Sequence, residues 1–306
     1  MRPFFQYIFV LCASAQAEPN SWKGSHRERP SDWHEPANWS TGAVPKLEDG
    51  RDVVIPPGLE HYPILSGDAE VDLKLQLGPK AWLILNGHNL AIAKTSTVDY
   101  DRAGAKQSGA GIYLEKGAFL DTSKGKSEIT VGRGTISNKG SISGSPALII
   151  EGKHSSVSLK TGGALFDSLT LEPSVFPYRV TVEDRLEVMG SVVLRGGHMQ
   201  IKREQTLSIR GDLVFAGKDS RTALTLIGDI QLHGTIKSDY SCRQLQASTG
   251  WIRMVGRGEQ LIEAKGILPP LMLEKDRGKV KVKETCTAWA SRFRPETFST
   301  SPMVRN

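Results

Sequence analysis

The chain has 306 residues, 31 glycines and a formal net charge of +6. That charge is modest for the length, and the basic residues do not gather into a patch with aromatic partners, so the composition argues against a nucleic-acid-binding protein. The many glycines and the scarcity of helical periodicity argue against an α/β sheet protein.

The first residues have the form of a secretory signal peptide. Met1 and Arg2 precede an apolar run over residues 4–15, and Ala15-Gln16-Ala17 is a small-x-small cleavage sequence. We therefore expect residues 1–17 to be removed and the mature protein to be secreted or held in the cell envelope. The run is shorter than the roughly 20 residues of a membrane span, and nothing later approaches that length, so no transmembrane segment is expected.

Residues 18–52 form a segment rich in tryptophan. Trp33 and Trp39 are followed by a proline, an acidic turn and the first apolar strand residues. The open end of a solenoid exposes apolar core and unpaired strand edges that need a cover. We interpret the segment as an N-terminal cap in which Trp33 and Trp39 bury apolar area, while His34 and Glu35 have no chemical role.

Further along the chain the apolar residues alternate with period two. Pairs such as Leu83 and Leu85 are bounded by Gly, Asn, Asp or Lys. Between residues 180 and 215 the pairs recur about every six to eight residues, closer than the roughly 8 to 12 residues typical of a sandwich or barrel. This spacing predicts an all-β protein with a right-handed parallel β-helix, or β-solenoid, over residues 53–286.

The stretch "NWSTGAVPKLEDGRDVVIPPG" resembles the opening of many secreted bacterial β-solenoid surface proteins, which have a Trp-containing segment, a proline, an acidic turn and Val-x-Ile-Pro before their stacked strands. It is also similar, more distantly, to the extracellular domain named for its eight conserved glycines. Later, "GRGEQLIEAKGILPPLMLEKDRGKVKV" looks like a repeat unit of the same surface proteins. The resemblance implies the fold and an extracytoplasmic location, and no catalytic residue carries over by motif.

The stretch "TVDYDRAGAKQSGAG" contains two carboxylates close together, Asp99 and Asp101. In an extended segment both side chains project to the same side. They would then serve as a catalytic acid/base pair or hold calcium. The alternative is a solvated loop inserted between coils, which the neighbouring glycines fit.

Two tryptophans are the candidates for carbohydrate binding. In "KAWLILNG" the alternation puts Leu83 and Leu85 on one face and Trp82 and Ile84 on the other, so Trp82 points outward if the leucines point into the coil. An exposed Trp on a flat β face can stack on a sugar ring. The alternative is that Trp82 packs under the N-terminal segment, and Trp251, in "TGWIRMVG", presents the same two alternatives.

The two cysteines that remain after removal of the signal peptide are Cys242 and Cys286. In an oxidising compartment they would close one disulfide-bonded loop, although the sequence alone leaves the pairing open. Their spacing fits no zinc motif. Residues 287–306 are polar and contain two prolines, and we expect a flexible tail there.

These features predict a non-catalytic, secreted or cell-envelope β-solenoid that serves as a structural, adhesion or carbohydrate-binding module. Its expected partners are extracellular polysaccharide or cell-surface components. The alternative is a polysaccharide lyase or glycoside hydrolase on a parallel β-helix, with Asp99 and Asp101 as its acids. No cofactor is expected other than calcium at those two residues.

Overall fold

The computed structural model describes residues 17–93, 109–152, 156–172, 178–216, 223–238, 243–244, 249–264, 266–283, 286–288 and 291–293. Nearly all regular structure in these residues is short β-strand paired in parallel, with one 3₁₀ helix, Pro36–Asn38. The strands stack into a β-solenoid of about 8 turns. The predicted all-β parallel solenoid is confirmed, whereas its right-handed winding, the N-terminal cap and the flexible tail stay predictions.

The strands are numbered in chain order. The first sixteen are β1 (Asn20–Ser21), β2 (Val53–Ile55), β3 (Ala69–Val71), β4 (Lys74–Leu77), β5 (Trp82–Ile84), β6 (Leu90–Ile92), β7 (Gly111–Leu114), β8 (Phe119–Asp121), β9 (Glu128–Val131), β10 (Gly134–Asn138), β11 (Ser141–Ser143), β12 (Ala147–Ile150), β13 (Ser156–Lys160), β14 (Leu165–Phe166), β15 (Ser168–Leu171) and β16 (Arg179–Val182). The others are β17 (Leu186–Val188), β18 (Val192–Leu194), β19 (His198–Ile201), β20 (Thr206–Ile209), β21 (Leu213–Phe215), β22 (Ala223–Leu226), β23 (Asp229–Leu232), β24 (Ile236–Ser238), β25 (Arg243–Gln244), β26 (Ile252–Gly256), β27 (Gln260–Ala264), β28 (Gly266–Leu268), β29 (Leu271–Lys275), β30 (Val280–Val282), β31 (Cys286–Ala288) and β32 (Ser291–Phe293).

Most coils of the described residues contribute a strand to each of three sides. Side one is a ten-stranded sheet in the order β1-β2-β4-β7-β10-β13-β16-β19-β22-β25, and side two is a ten-stranded sheet in the order β3-β6-β9-β12-β15-β18-β21-β24-β27-β30. Side three begins as the three-stranded sheet β5-β8-β11 and continues along the chain as the seven-stranded sheet β14-β17-β20-β23-β26-β29-β32. Near the end of the chain, β28 and β31 pair with each other.

Apolar side chains fill the inside of the coils in register. On side one, Leu75 is paired with Ile112, Ile112 with Ile136, and Ile136 with Leu159, and all four side chains are buried. Each coil therefore covers the apolar surface of the one before it, and a fully buried Leu or Ile contributes roughly 1.5–3 kcal/mol. The residues between them point outward, so the surface consists of rows of side chains that cross the strands.

Two glycines on side one allow consecutive coils to approach closely. Gly111 has a φ of 115° and Gly134 a φ of 93°, in a region that L side chains rarely adopt. A Cβ at Gly111 would lie 2.1 Å from the Thr135 carbonyl oxygen, and a Cβ at Gly134 would lie 2.1 Å from the Ala110 carbonyl oxygen. Neither position accepts a side chain unless the backbone of the neighbouring coil moves.

The Trp-rich segment packs onto the first coils. Trp22, Trp33 and Trp39 are buried, and the Trp39 ring meets both others edge to face, with centroids 4.9 Å from Trp22 and 4.7 Å from Trp33. Trp22 Nε1 donates to the His61 carbonyl at 2.8 Å, and Trp39 Nε1 donates to the Trp33 carbonyl at 2.8 Å. Burial and hydrogen bonds thus join the segment to the loop that follows β2.

The C-terminal strands continue the stacking. Strand β32 ends at Phe293, beyond residue 287, where the sequence predicts that the tail begins. In β30, the last described strand of side two, Val282 is exposed. Among the described residues, no helix has the length and apolar character needed to cross a membrane.

Candidate functional site

Trp82, on β5, is the one large aromatic side chain that is exposed among the described residues. The neighbouring Leu83 and Leu85 are fully buried, so the alternation directs Trp82 outward and leaves 46% of it exposed. Its ring lies 4.8 Å, centroid to centroid, from the Phe119 ring of the next coil, with the planes tilted by 51°. The N-terminal tryptophans make their ring contacts with one another.

Trp82 and Phe119 belong to a row of aromatic residues on side three. The two residues are paired in register between β5 and β8. We call Trp82 and Phe119 the aromatic row. Because consecutive strands of side three are stacked in register along the solenoid, the row runs parallel to the solenoid axis.

A second row of outward residues lies next to the aromatic row. Asp32 bridges to Ile64, Ile64 bridges to Ile84, and Ile84 is paired with Asp121. We call these four residues the flanking row. It carries two apolar residues at its centre and one carboxylate at each end.

The Asp121 carboxylate is held in place by its neighbours. Its Oδ1 accepts the Ser123 backbone N–H at 2.9 Å and the Ser143 hydroxyl at 2.7 Å. Burial raises the pKa of Asp121, but these hydrogen bonds and the Lys124 charge outweigh burial, so the pKa is lowered from its ordinary value. Asp121 is therefore a fixed, ionised hydrogen-bond acceptor at neutral pH.

Asp32 is fixed in a similar way by polar neighbours. Its Oδ1 accepts the His34 backbone N–H at 3.0 Å and the Ser66 hydroxyl at 2.7 Å, and its Oδ2 lies 3.6 Å from Arg29 Nη1. Burial raises the pKa of Asp32, but the hydrogen bonds and the Arg29 and His34 charges outweigh burial and lower the pKa. Both carboxylates of the flanking row are thus ionised.

His34 lies beside Asp32 and joins the same hydrogen-bond network. Its Nε2 is 3.0 Å from the Asp68 carbonyl oxygen, which makes Nε2 the donor, and its Nδ1 is 3.1 Å from the Ser66 hydroxyl. The structure therefore links His34 to Asp32 through Ser66, a connection that the sequence order does not reveal.

The turns on the other flank of the aromatic row carry lysines. Lys80 and Lys116 are exposed. Lys139 is also exposed and lies 3.9 Å from the Glu115 carboxylate. The aromatic row therefore has carboxylates on one flank and ammonium groups on the other.

The geometry of the two carboxylates suits binding better than hydrolysis. Asp32 and Asp121 stand three strand steps apart, which is about 14 Å at about 4.8 Å per step. The two carboxyl groups of a glycosidase lie roughly 5 to 9.5 Å apart across the bond that they cleave. This pair is too widely separated to act on one glycosidic bond.

Trp251 lies on side three as well, immediately before β26, and is half-buried. Its backbone N–H donates to Asp229 Oδ1 at 2.8 Å. Arg253 next to it bonds Asp229 at 2.7 Å and Glu274 at 2.6 Å. Trp251 thus stands beside the ion pairs that Arg253 forms with Asp229 and Glu274.

The other residues singled out by the sequence have different positions. Asp99, Asp101 and Cys242 lie outside the described residues, and so does the side chain of Cys286, so the acid pair, the calcium site and the disulfide stay predictions. Within the described part of the chain, no group of three or more His, Cys, Asp or Glu side chains is arranged to hold a metal ion.

The sequence reasoning missed Phe119, Asp32 and Asp121 as members of one surface. A usable signal was present, since "AWLI" at residues 81–84 and "AFLD" at residues 118–121 share a buried alanine, an outward aromatic residue and a buried leucine. A comparison of short strand motifs would have aligned Trp82 with Phe119.

No family model, curated protein or solved structure matches this chain.

Proposed function

We propose that this protein is a non-catalytic, secreted or cell-envelope β-solenoid that binds carbohydrate on side three, with the aromatic row as the contact surface. The observation that carries the proposal is the exposed Trp82 ring set against the Phe119 ring. Two aromatic rings on adjacent strands of a regular sheet form an apolar surface whose shape does not depend on a mobile loop. The apolar face of a sugar ring is a suitable partner for such a surface.

The exposed part of Trp82 is large enough to give measurable binding. A tryptophan buries 150–250 Å² when fully covered, so a ligand over the exposed part would remove on the order of 100 Å² from water. At about 25 cal/mol/Å² this contributes about 2.5 kcal/mol, or roughly 70-fold in affinity. A contribution of this size suits a polymer-binding module that uses one principal contact.

The proposed location rests on the sequence. Residues 1–17 have the charge, apolar run and small-x-small end of a secretory signal peptide. Extracellular polysaccharide or cell-surface glycan is the ligand that such a protein would meet.

Binding to insoluble polysaccharides and to a glycan array tests the proposal. We expect Trp82→Ala to weaken binding at least tenfold without lowering the thermal unfolding midpoint. The matched control is Met189→Ala, because Met189 is exposed to a similar degree, 49%, and follows a strand of side three but lies outside the aromatic row. Absence of binding to every glycan at low salt, or equal loss in both variants, would contradict the proposal.

A further inference from the structure

The flanking row adds polar groups to the contact surface, and their chemistry narrows the class of ligand. Asp32 and Asp121 stand at its two ends, with Ile64 and Ile84 between them. A ligand chain that lies along the aromatic row passes both carboxylates, which are about 14 Å apart. That length accommodates several sugar units, so the surface is suited to a polymer that crosses the strands.

Both carboxylates are prepared to accept hydrogen bonds from a ligand. A carboxylate offers about four acceptor positions. In Asp121, the Ser123 backbone N–H and the Ser143 hydroxyl use Oδ1. In Asp32, the His34 backbone N–H and the Ser66 hydroxyl use Oδ1. Each group is thereby oriented and keeps acceptor capacity, and the hydroxyl groups of a sugar are the donors that fit it.

The charges around the flanking row oppose an acidic sugar on that side. Arg29, the cation nearest to Asp32, also pairs with Glu35, so its charge is shared between two carboxylates. Lys124 lies near Asp121. A sugar carboxylate or sulfate placed over this row would face two fixed anions, whereas a neutral hydroxyl would form charge-assisted hydrogen bonds.

We propose that the ligand is a neutral polysaccharide that lies parallel to the solenoid axis, with a sugar ring on Trp82 and Phe119 and its hydroxyl groups donating to Asp121 and Asp32. This inference rests on the proposed function, because it assigns a ligand class to the same surface. Ser143 and Ser66 act as positioning residues that hold the two carboxylates. Lys80 and Lys116, on the opposite flank, point to the competing outcome of an acidic polymer.

Affinity electrophoresis of the full chain tests the ligand class. The gels contain a neutral polymer, namely a β-glucan, a xylan or a galactomannan, or an anionic one, namely pectate, alginate or hyaluronate. We expect retardation by at least one neutral polymer and a weaker effect of every anionic one at equal ionic strength. Preferential retardation by an anionic polymer, lost on Lys116→Ala, would overturn the inference and leave carbohydrate binding intact.

Variants of the flanking row provide the second part of the test. Asp121→Asn keeps the shape and removes the charge, and we expect about fivefold weaker binding of the neutral polymer, with Ser143→Ala giving a smaller loss. The control is Asp167→Asn, an exposed aspartate between two strands in the later coils. If Asp121→Asn does not fold, Asp32→Asn tests the other end of the row.

The outcomes separate the two proposals. Unchanged neutral-polymer binding in both Asp121→Asn and Asp32→Asn, with Trp82→Ala still defective, overturns the inference alone. No retardation by any polymer overturns it together with the proposed function.

Discussion

The ring centroids of Trp82 and Phe119 lie 4.8 Å apart, although the two residues belong to consecutive coils. Their backbones are paired in register, so each ring limits the positions that the other can occupy. Phe119 is therefore expected to support Trp82 as well as to contact ligand.

Phe119→Leu tests this support. The substitution keeps apolar volume but removes the aromatic ring, so we expect threefold to tenfold weaker polysaccharide binding with little change in the unfolding midpoint. A double-mutant cycle with Trp82→Ala should show non-additive losses because the two residues act on one ligand contact. Strictly additive losses would mean that the rings act independently.

The pH dependence of stability should reflect the protonation of His198, a buried residue on side one. Burial and the Arg179 charge lower its pKa from 6.5, and its Nε2 lies 2.7 Å from the Thr225 hydroxyl. Because the folded state binds the proton more weakly than the unfolded state, the free energy of unfolding should fall as the pH drops below about 6.5. Denaturant unfolding from pH 8 to 5 measures the decline.

His198→Gln should flatten that decline, since the amide keeps a hydrogen-bonding group but does not titrate. Equal slopes in the native protein and in His198→Gln would show that other groups cause the pH dependence.

The close approach of coils at Gly111 should not tolerate a side chain. A Cβ there would lie 2.1 Å from the Thr135 carbonyl oxygen, and the φ of 115° is strained for alanine. We expect Gly111→Ala to lower the free energy of unfolding by at least about 2 kcal/mol. Gly258→Ala is the control, because a Cβ at Gly258 meets no atom within 4 Å, and it should change stability by less than about 0.5 kcal/mol.

The N-terminal tryptophans should contribute strongly to stability. Trp39 is fully buried, contacts two other tryptophan rings and donates a hydrogen bond. We expect Trp39→Ala to cost about 3–5 kcal/mol, measured by circular dichroism in urea. Lys23→Ala, at an exposed position of the same segment, should have almost no effect. A stable Trp39→Ala variant would mean that the segment folds separately from the coils.

Much of the fold follows from local patterns, whereas the candidate site does not. The alternation around Leu83 and Leu85 correctly predicted a strand with Trp82 on the face opposite the leucines, because the side-chain period of a strand is two wherever the strand lies. The partner of Trp82 depends on how many residues the intervening coil contains. That number differs from coil to coil, so the sequence alone did not align Trp82 with Phe119.

The same limit applies to the flanking row. Asp32 precedes the first coil and Asp121 lies in β8, and only the sequence of pairings through Ile64 and Ile84 places them in one row. The sequence interpretation assigned His34 no chemical role, since adjacency in sequence does not supply the geometry of a site. The hydrogen bonds through Ser66 depend on a loop that returns to the same surface.

The aromatic row runs along the solenoid axis, so its length can change when coils are gained or lost. Each coil adds one outward side chain at this position, and in the coil after Phe119 that residue is Ser141, so the length of the row depends on how many successive coils carry an aromatic residue there. A tandem duplication of the segment that carries β7, β8 and β9 would insert one more phenylalanine rung and leave the pairing on all three sides intact. The length of ligand that this surface contacts can therefore change through gain or loss of a repeat, and no new type of contact is needed.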